Sequence, residues 1–457
     1  MASSQSRKKA ASSQVDLLSG AIAPVLVRLT GPMMMGIVSL MLFNLVDLYF
    51  VGLLGTLPLA AIGFTFPVTF AVTSLAIGLG VGTSATVGRL IGAGRSQEAK
   101  ALVTDNLLAT FAVTTVLALI LSQLITPIFQ WMGASPELLV YIKDYMGMWL
   151  FGSVYLVVNM VANATMRAAG DTRTPAKVMA ISAFINLLLD PLLIFGWGPI
   201  PAMGIKGAAL ATVLAWGVTS CLVFYLLHHR QQVLLFKGFD FARIGRHWYQ
   251  VMVIGLPAAF SNMLTPIANA ILTAFVAGYG PEAVAAFGVG SRLESLSLLV
   301  CLALSMSLPP FISQNMGAEK QRRAVAAYGL ALKFALLWQL VVYLALLSQG
   351  EAIAALFSDQ SSVQSWIIIW LGIVPMGFGF QAVTFLTASS FNAMHQPMRA
   401  MRISLIRLFV FYVPMAWLGS TFFGLTGMFV ALVIANSCTA LVAWYLMRQY
   451  AQRLLLE

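Results

Sequence analysis

Asp47 lies inside Met41–Gly52 (MLFNLVDLYFVG) and Asp190 inside Ala183–Gly196 (AFINLLLDPLLIFG), and neither stretch carries another charge. A carboxylate taken alone into an apolar membrane helix costs about 2.5–3.5 kcal/mol even on the mildest insertion scale. Such a group suits reversible capture of a proton or a small cation, because either one removes the charge that hydrocarbon disfavours. Asn186 precedes Asp190 by four residues, so it shares that helical face and can reach the carboxylate. Pro191 follows, and a proline inside a membrane helix frees a backbone carbonyl that needs another partner. Nothing comparable speaks for covalent catalysis. His228, His229, His247 and His395 fall at the ends of apolar runs, and Cys221, Cys301 and Cys438 stand singly with no ligand spacing. The chain therefore does not read as an enzyme, and neither a metal nor an organic cofactor is expected beyond H⁺ or Na⁺ as a coupling ion.

The elements that carry these acids are membrane helices. Of 457 residues, 60% are hydrophobic and 9% charged, where a soluble protein of this size carries roughly a quarter charged residues. Runs long enough to cross a bilayer, about 20 residues each, recur at 22–50, 58–86, 101–125, 138–164, 175–197, 204–228, 248–279, 283–312, 325–347, 363–390, 401–420 and 425–449. The expected fold is an all-α membrane protein of twelve transmembrane helices. The net charge of +11 is topological and does not indicate nucleic acid. Cations gather in every second connection: Arg89, Arg95 and Lys100; Arg167, Arg173 and Lys177; Arg230, Lys237, Arg243 and Arg246; Lys320, Arg322 and Arg323; Arg399, Arg402 and Arg407. Arg7, Lys8 and Lys9 precede the first span, and no cleavable signal is expected there. This distribution predicts a multi-pass protein of the inner membrane with both termini in the cytoplasm.

The two halves repeat each other. A shift of 225 residues pairs Pro32 with Pro257, Asn44 with Asn269, Gly55 with Gly280 and Gly92-Ala93 with Gly317-Ala318; a shift of 220 pairs Gly204, Gly207 and Thr219 with Gly424, Gly427 and Thr439. Six spans per half give parallel repeats, so two pseudo-symmetric six-helix lobes are expected, with cargo between them. The divisions are a tail at 1–16, a first lobe at 17–230, a linker at 231–247 and a second lobe at 248–457. Leu272 stands opposite Asp47 in the repeat, so the fold itself does not require that acid. Counted from the basic ends, Asp47 and Asp190 share a depth in the outer half of the bilayer, as a cooperating pair must.

Tyr145, Gly152, Asn159 and Asn163 project within about 40° of one azimuth in the fourth span. They form a polar stripe that either serves the acids or, for Asn159, Asn163 and Asn186, joins helices. Arg292 and Glu294 sit inside the eighth span, where i,i+2 spacing keeps them from facing each other. An inter-helix pair is the first reading for each, and substrate or ion contact the second. Asp105, near a basic end, reads as solvated. The 23 Met and 29 Phe suit a cavity that repacks around varied apolar ligands, or simply fill the core.

Asp47 followed by Tyr49-Phe50-Val51-Gly52, with Asn163–Pro175 (NATMRAAGDTRTP), Asn186–Gly196 (NLLLDPLLIFG) and Gly204–Thr212 (GIKGAALAT), resembles the multidrug and toxic compound extrusion (MATE) transporters. The pairing of a first-span with a fifth-span Asp resembles their DinF-like prokaryotic branch. The resemblance spans all twelve helices. It implies a two-lobed antiporter that uses inward H⁺, or Na⁺ at Asp47 and Asp190, to expel drugs and dyes that are often cationic and amphipathic, acting in the bilayer as a monomer. It further implies a first-lobe network of Asp47, Asp190, Asn186, Asn163 and Tyr145, and bending of the first helix at Pro32. The seventh span lacks the acid that NorM-type relatives place there; Asn269 and Leu272 occupy that stretch, leaving Glu294 as a substitute. A lipid-linked oligosaccharide flippase of the same superfamily is the alternative, and would call for several arginines lining the cavity.

Overall fold

The computed structural model describes residues 15–456 except Phe236, Lys237 and Phe239. Arg7, Lys8 and Lys9, most of the expected tail, and Lys237 lie outside the described residues. The first lobe comprises α1 (Ile22–Gly52), α2 (Thr56–Gly92), α3 (Ser96–Trp131), α4 (Pro136–Ala168), α5 (Arg173–Phe195) and α6 (Ile205–Tyr225). The second comprises α7 (Phe241–Ala277), α8 (Pro281–Ser297), α9 (Leu299–Gly317), α10 (Gln321–Ser348), α11 (Gly350–Phe357), α12 (Ser361–Ile373), α13 (Phe378–Ala393), α14 (Pro397–Leu405) and α15 (Val413–Leu456).

Among the described residues, eleven helical stretches are long and apolar enough to cross a membrane. The last of them, Pro397–Leu456, is two crossings. It reverses at Gly424, whose φ of 67° and ψ of −162° are open to glycine and strained for other residues. Gly419 and Gly427 are appressed across that turn. The eighth span is α8 and α9 joined through one non-helical residue, Leu298. The twelve expected spans are thus present. The duplication is visible in the backbone as well. Left-handed residues recur at the same shift of 225, with Gly55 and Gly280, Gly94 and Glu319, and Gly170 and His395 in matching turns, while Gly204 and Gly424 match at 220.

α2 packs against α4, and α4 against α6, to build the first-lobe core; α9, α13 and α15 do the same in the second. The lobes meet at the face that carries the basic connections, termed here the basic face. Glycines of α2 let its backbone touch the other lobe: a Cβ added to Gly82 would stand 2.3 Å from the Val251 carbonyl oxygen, and one on Gly92 2.0 Å from that of Gln314. From the other side, a Cβ on Gly317 would stand 2.1 Å from the Arg89 carbonyl oxygen. Gln314 Nε2 donates to the Ala168 carbonyl at 2.6 Å, and His395 Nε2 lies 3.3 Å from that of Ala85. The segment before α1 is strapped to the second lobe. Asn315 donates to Leu17 O, Lys320 to Leu18 O, and Arg323 to Ser19 O and Gly20 O, at 2.7–3.0 Å.

At this face α7 starts at Phe241, with Asp240 capping it through Ala242 N and Arg243 N at 3.0 and 3.2 Å, and one expectation needs correction. Asp105 is not solvated. It is 1% exposed, accepts a two-pronged bond from Arg243 (2.8 and 3.1 Å), and lies 2.7 Å from His247 Nδ1. This fork–fork pair ties α3 of one lobe to α7 of the other. Asp105→Asn leaves the Arg243 guanidinium without its carboxylate, so the detergent-purified protein should melt at least a few degrees lower in a thermal unfolding scan. An unchanged melting temperature would mean that the pair carries no stability.

Candidate functional site

Polar groups buried in the membrane gather at two places. The first is within the first lobe, toward the face opposite the basic one. Asp47 and Asp190 each stand a little over one turn before the end of α1 and α5, which pack together. Tyr145 of α4 lies within electrostatic range of both carboxylates, and the two carboxylates within range of each other. Asp190 is fully buried, and neither of its oxygens has a hydrogen-bond partner; Oδ1 of Asp47 is buried and unpartnered too. Asn186 adjoins Asp190, but its Nδ2 donates to Thr212 Oγ1 at 3.3 Å, leaving its own Oδ1 unmatched. The cluster holds a surplus of acceptors and a deficit of donors. Buried acceptors normally find partners, and a carboxylate left without one is costly. Chemically, such an arrangement could take up a proton or a hard cation.

Asn163 is not part of it. About 27 Å of continuous α4 separates it from Tyr145: the shared azimuth that suggested a common stripe says nothing of height. Asn163 and Asn159 instead line a second place, a cavity of about 610 Å³ between the lobes. Asn159 also joins helices there, donating to Trp216 O at 3.1 Å and Thr219 Oγ1 at 3.2 Å. Opposite them, Glu294 accepts from Gln381 Nε2 at 2.8 Å. Arg407 lies over the rings of Phe385 and Tyr412, with its guanidinium carbon 5.4 and 5.0 Å from their centroids. Glu294 and Arg407 interact across the cavity wall without a direct ion pair. Arg407 sits in a widened π turn, Ile406–Tyr412, of the kind that often marks functional positions. Arg292, by contrast, is exposed and has no ion-pair partner among the described residues, so the inter-helix pair expected for it does not form. The cavity wall carries two arginines, Arg167 and Arg407, and one acid, Glu294. α1 runs as one helix through Pro32.

Thr212, Arg167, Arg407, Gln381 and Tyr412 were not singled out from sequence. As cations near helix ends both arginines read as basic-end charges, although Arg167 lies within NATMRAAGDTRTP.

A family model described as MatE matches residues 32–192 and again 257–418, two copies whose starts differ by the 225 residues of the internal repeat. The chain belongs to the MatE family. It is accordingly a membrane transporter and not an enzyme, and it acts on small molecules within the bilayer. Over 95% of this MatE chain and 96% of the relative, it is 42% identical to a protein of Shewanella oneidensis named FAD transporter. It is 24% identical to the multidrug export protein MepA of Staphylococcus aureus, over 93% of each chain. Among solved structures, the MATE transporter VcmN of Vibrio cholerae in its bent form superposes with a TM-score of 0.90 at 33% identity, covering 95% of this chain and 98% of the other.

Proposed function

We propose that this MatE protein is a cation-coupled antiporter of the inner membrane, with both termini in the cytoplasm, that exports amphipathic aromatic compounds by alternating access. The reading is carried by one observation: a buried, unpartnered carboxylate, Asp190, beside the half-buried Asp47 in the first lobe, in a transporter whose lobes enclose a cavity shut at the basic face. With the basic face in the cytoplasm, the lobes are closed on the cytoplasmic side. Protonation of the Asp47–Asp190 pair from outside removes a charge, rearranges the contacts of Asn186 and Tyr145, and drives α1 to bend near Pro32, so that cargo leaves outward. Release of the proton toward the cytoplasm resets the carrier. H⁺ suits the pair better than Na⁺, because a proton needs one carboxylate oxygen while Na⁺ needs a shell of them. Two fused lobes supply both halves of the cavity, so one chain is the working unit, and nucleic acid has no part.

The cargo separates two readings. Cationic drugs are the expectation from the multidrug relatives. Two arginines against one acid on the cavity wall, together with the 42% identity to a FAD transporter, favour a flavin-like aromatic that carries negative charge. A lipid-linked oligosaccharide is less well matched, since the wall offers two arginines and much apolar surface. In vesicles of the purified protein, an imposed pH gradient should drive FAD or dye movement with no Na⁺ present. Transport that follows a Na⁺ gradient and ignores pH would overturn the proton reading.

A further inference from the structure

Arg167 is 7% exposed and lines the interlobe cavity, yet its side chain makes no hydrogen bond or ion pair among the described residues, and its Nε is buried with nothing opposite. A buried guanidinium without an anion is among the costlier arrangements a protein can hold. Asp171, four residues on and just past the end of α4, has its oxygens taken by Thr174 N at 3.0 Å, Thr174 Oγ1 at 2.6 Å and Gln231 Nε2 at 3.2 Å. The acid on the cavity wall, Glu294, is held by Gln381 on the Arg407 side. The fold leaves Arg167 open.

Two amides accompany it. Asn163 stands one turn earlier on the same face of α4. Asn392 occupies the place equivalent to Arg167 in the second lobe, at the shift of 225. Both line the cavity, both are buried, and neither side-chain amide makes a hydrogen bond among the described residues, so each has an Nδ2 donor to turn toward an anion. The second copy keeps a neutral amide where the first has a cation, so this helix position does not require arginine. We propose that Arg167, with Asn163 and Asn392 from the two lobes, forms the anion-binding floor of the cavity and takes the phosphate or carboxylate of an aromatic cargo. A guanidinium fork matches the oxygens of such a group in pairs. Trp216 on one wall, and Phe385 and Tyr412 on the other, face the aromatic remainder. This inference rests on the reading of the cavity as the cargo site.

Riboflavin and flavin mononucleotide differ by one phosphate, so their binding to the full-length protein in nanodiscs, followed by flavin fluorescence, isolates the floor. The wild type should prefer the mononucleotide by about tenfold or more, the range of a hydrogen bond to a charged group. Arg167→Gln should abolish that preference while still binding riboflavin, Arg167→Lys should keep part of it, and raised salt should weaken chiefly the phosphate-bearing ligand. Riboflavin binding reports that a variant is folded. Should Arg167→Gln fail that control, Asn392→Asp, which sets a carboxylate into the floor, should reduce the preference in its place. Equal binding of the two flavins by wild type, or a preference that survives both substitutions, overturns the anion floor and leaves the cargo site standing. Binding of cationic ethidium without either flavin would likewise remove the floor and spare the cargo site. No binding of any of the three removes the cargo site and the floor together.

Discussion

Asp47→Asn should abolish gradient-driven efflux while the protein remains in the membrane and still binds cargo. Asparagine keeps the size of the side chain and cannot exchange a proton, so the variant is fixed in the neutral form. It should behave as a carrier held at one step of its cycle, with transport cut about tenfold or more and no response to an imposed pH gradient. Asp190→Asn should do the same, and the double variant should be little worse than either single one, because residues acting as one unit do not add. The physical reason is the acceptor surplus. Both oxygens of Asp190 and one of Asp47 are buried without a donor, so the charged pair is tolerable only if it is neutralised for part of the cycle. Vesicle transport with a parallel binding measurement separates loss of coupling from loss of folding. Near-normal efflux from Asp47→Asn would remove the carboxylate pair from the mechanism.

The second large effect belongs to the basic face. Gly317→Leu introduces a side chain where even a Cβ would stand 2.1 Å from the Arg89 carbonyl oxygen, across the lobe boundary. Overpacking of this kind costs about 1–3 kcal/mol. The strain can be relieved by parting the lobes, so the cost becomes a shift between conformations of roughly five- to 150-fold. Spin labels at Arg95 and Arg322, both exposed in basic-face connections, should report a longer distance in Gly317→Leu than in wild type, and efflux should fall in proportion. An unchanged distance distribution would mean that the backbone contact does not set the closed state.

The twelve crossings were readable because a water-soluble fold has little use for so many apolar runs of bilayer length, and the duplication because Gly, Pro and Asn kept register. The reversal at Gly424 falls between the expected spans 401–420 and 425–449, whereas the break at Leu298 lies inside the expected eighth span, 283–312. Asp47, Asp190, Asn186 and Tyr145 were readable as isolated polar groups in apolar helices, and the structure brings them together. Asn163 was joined to them by the family resemblance, whereas its place near the basic end of α4 sets it about 27 Å along the helix from Tyr145. Asp105, Arg167 and Arg407 were misread for a different reason. A charge near a helix end faces water or a neighbour according to which helices pack beside it, and that is decided by residues more than a hundred positions away, such as Arg243 for Asp105. Arg292 failed in the opposite sense, since being deep within a span did not make it buried.

The strap preceding α1 has a mechanical consequence. Its carbonyls are fastened to Asn315, Lys320 and Arg323 of the second lobe, while the far tip of the same helix bears Asp47 against α5 of the first. The helix is a rod pinned at its foot to one body and seated at its head in the other. Displacement at the head cannot be absorbed by sliding at the foot. It has to appear as flexure along the shaft, where Pro32 interrupts the hydrogen-bond ladder about 15 Å above the pin.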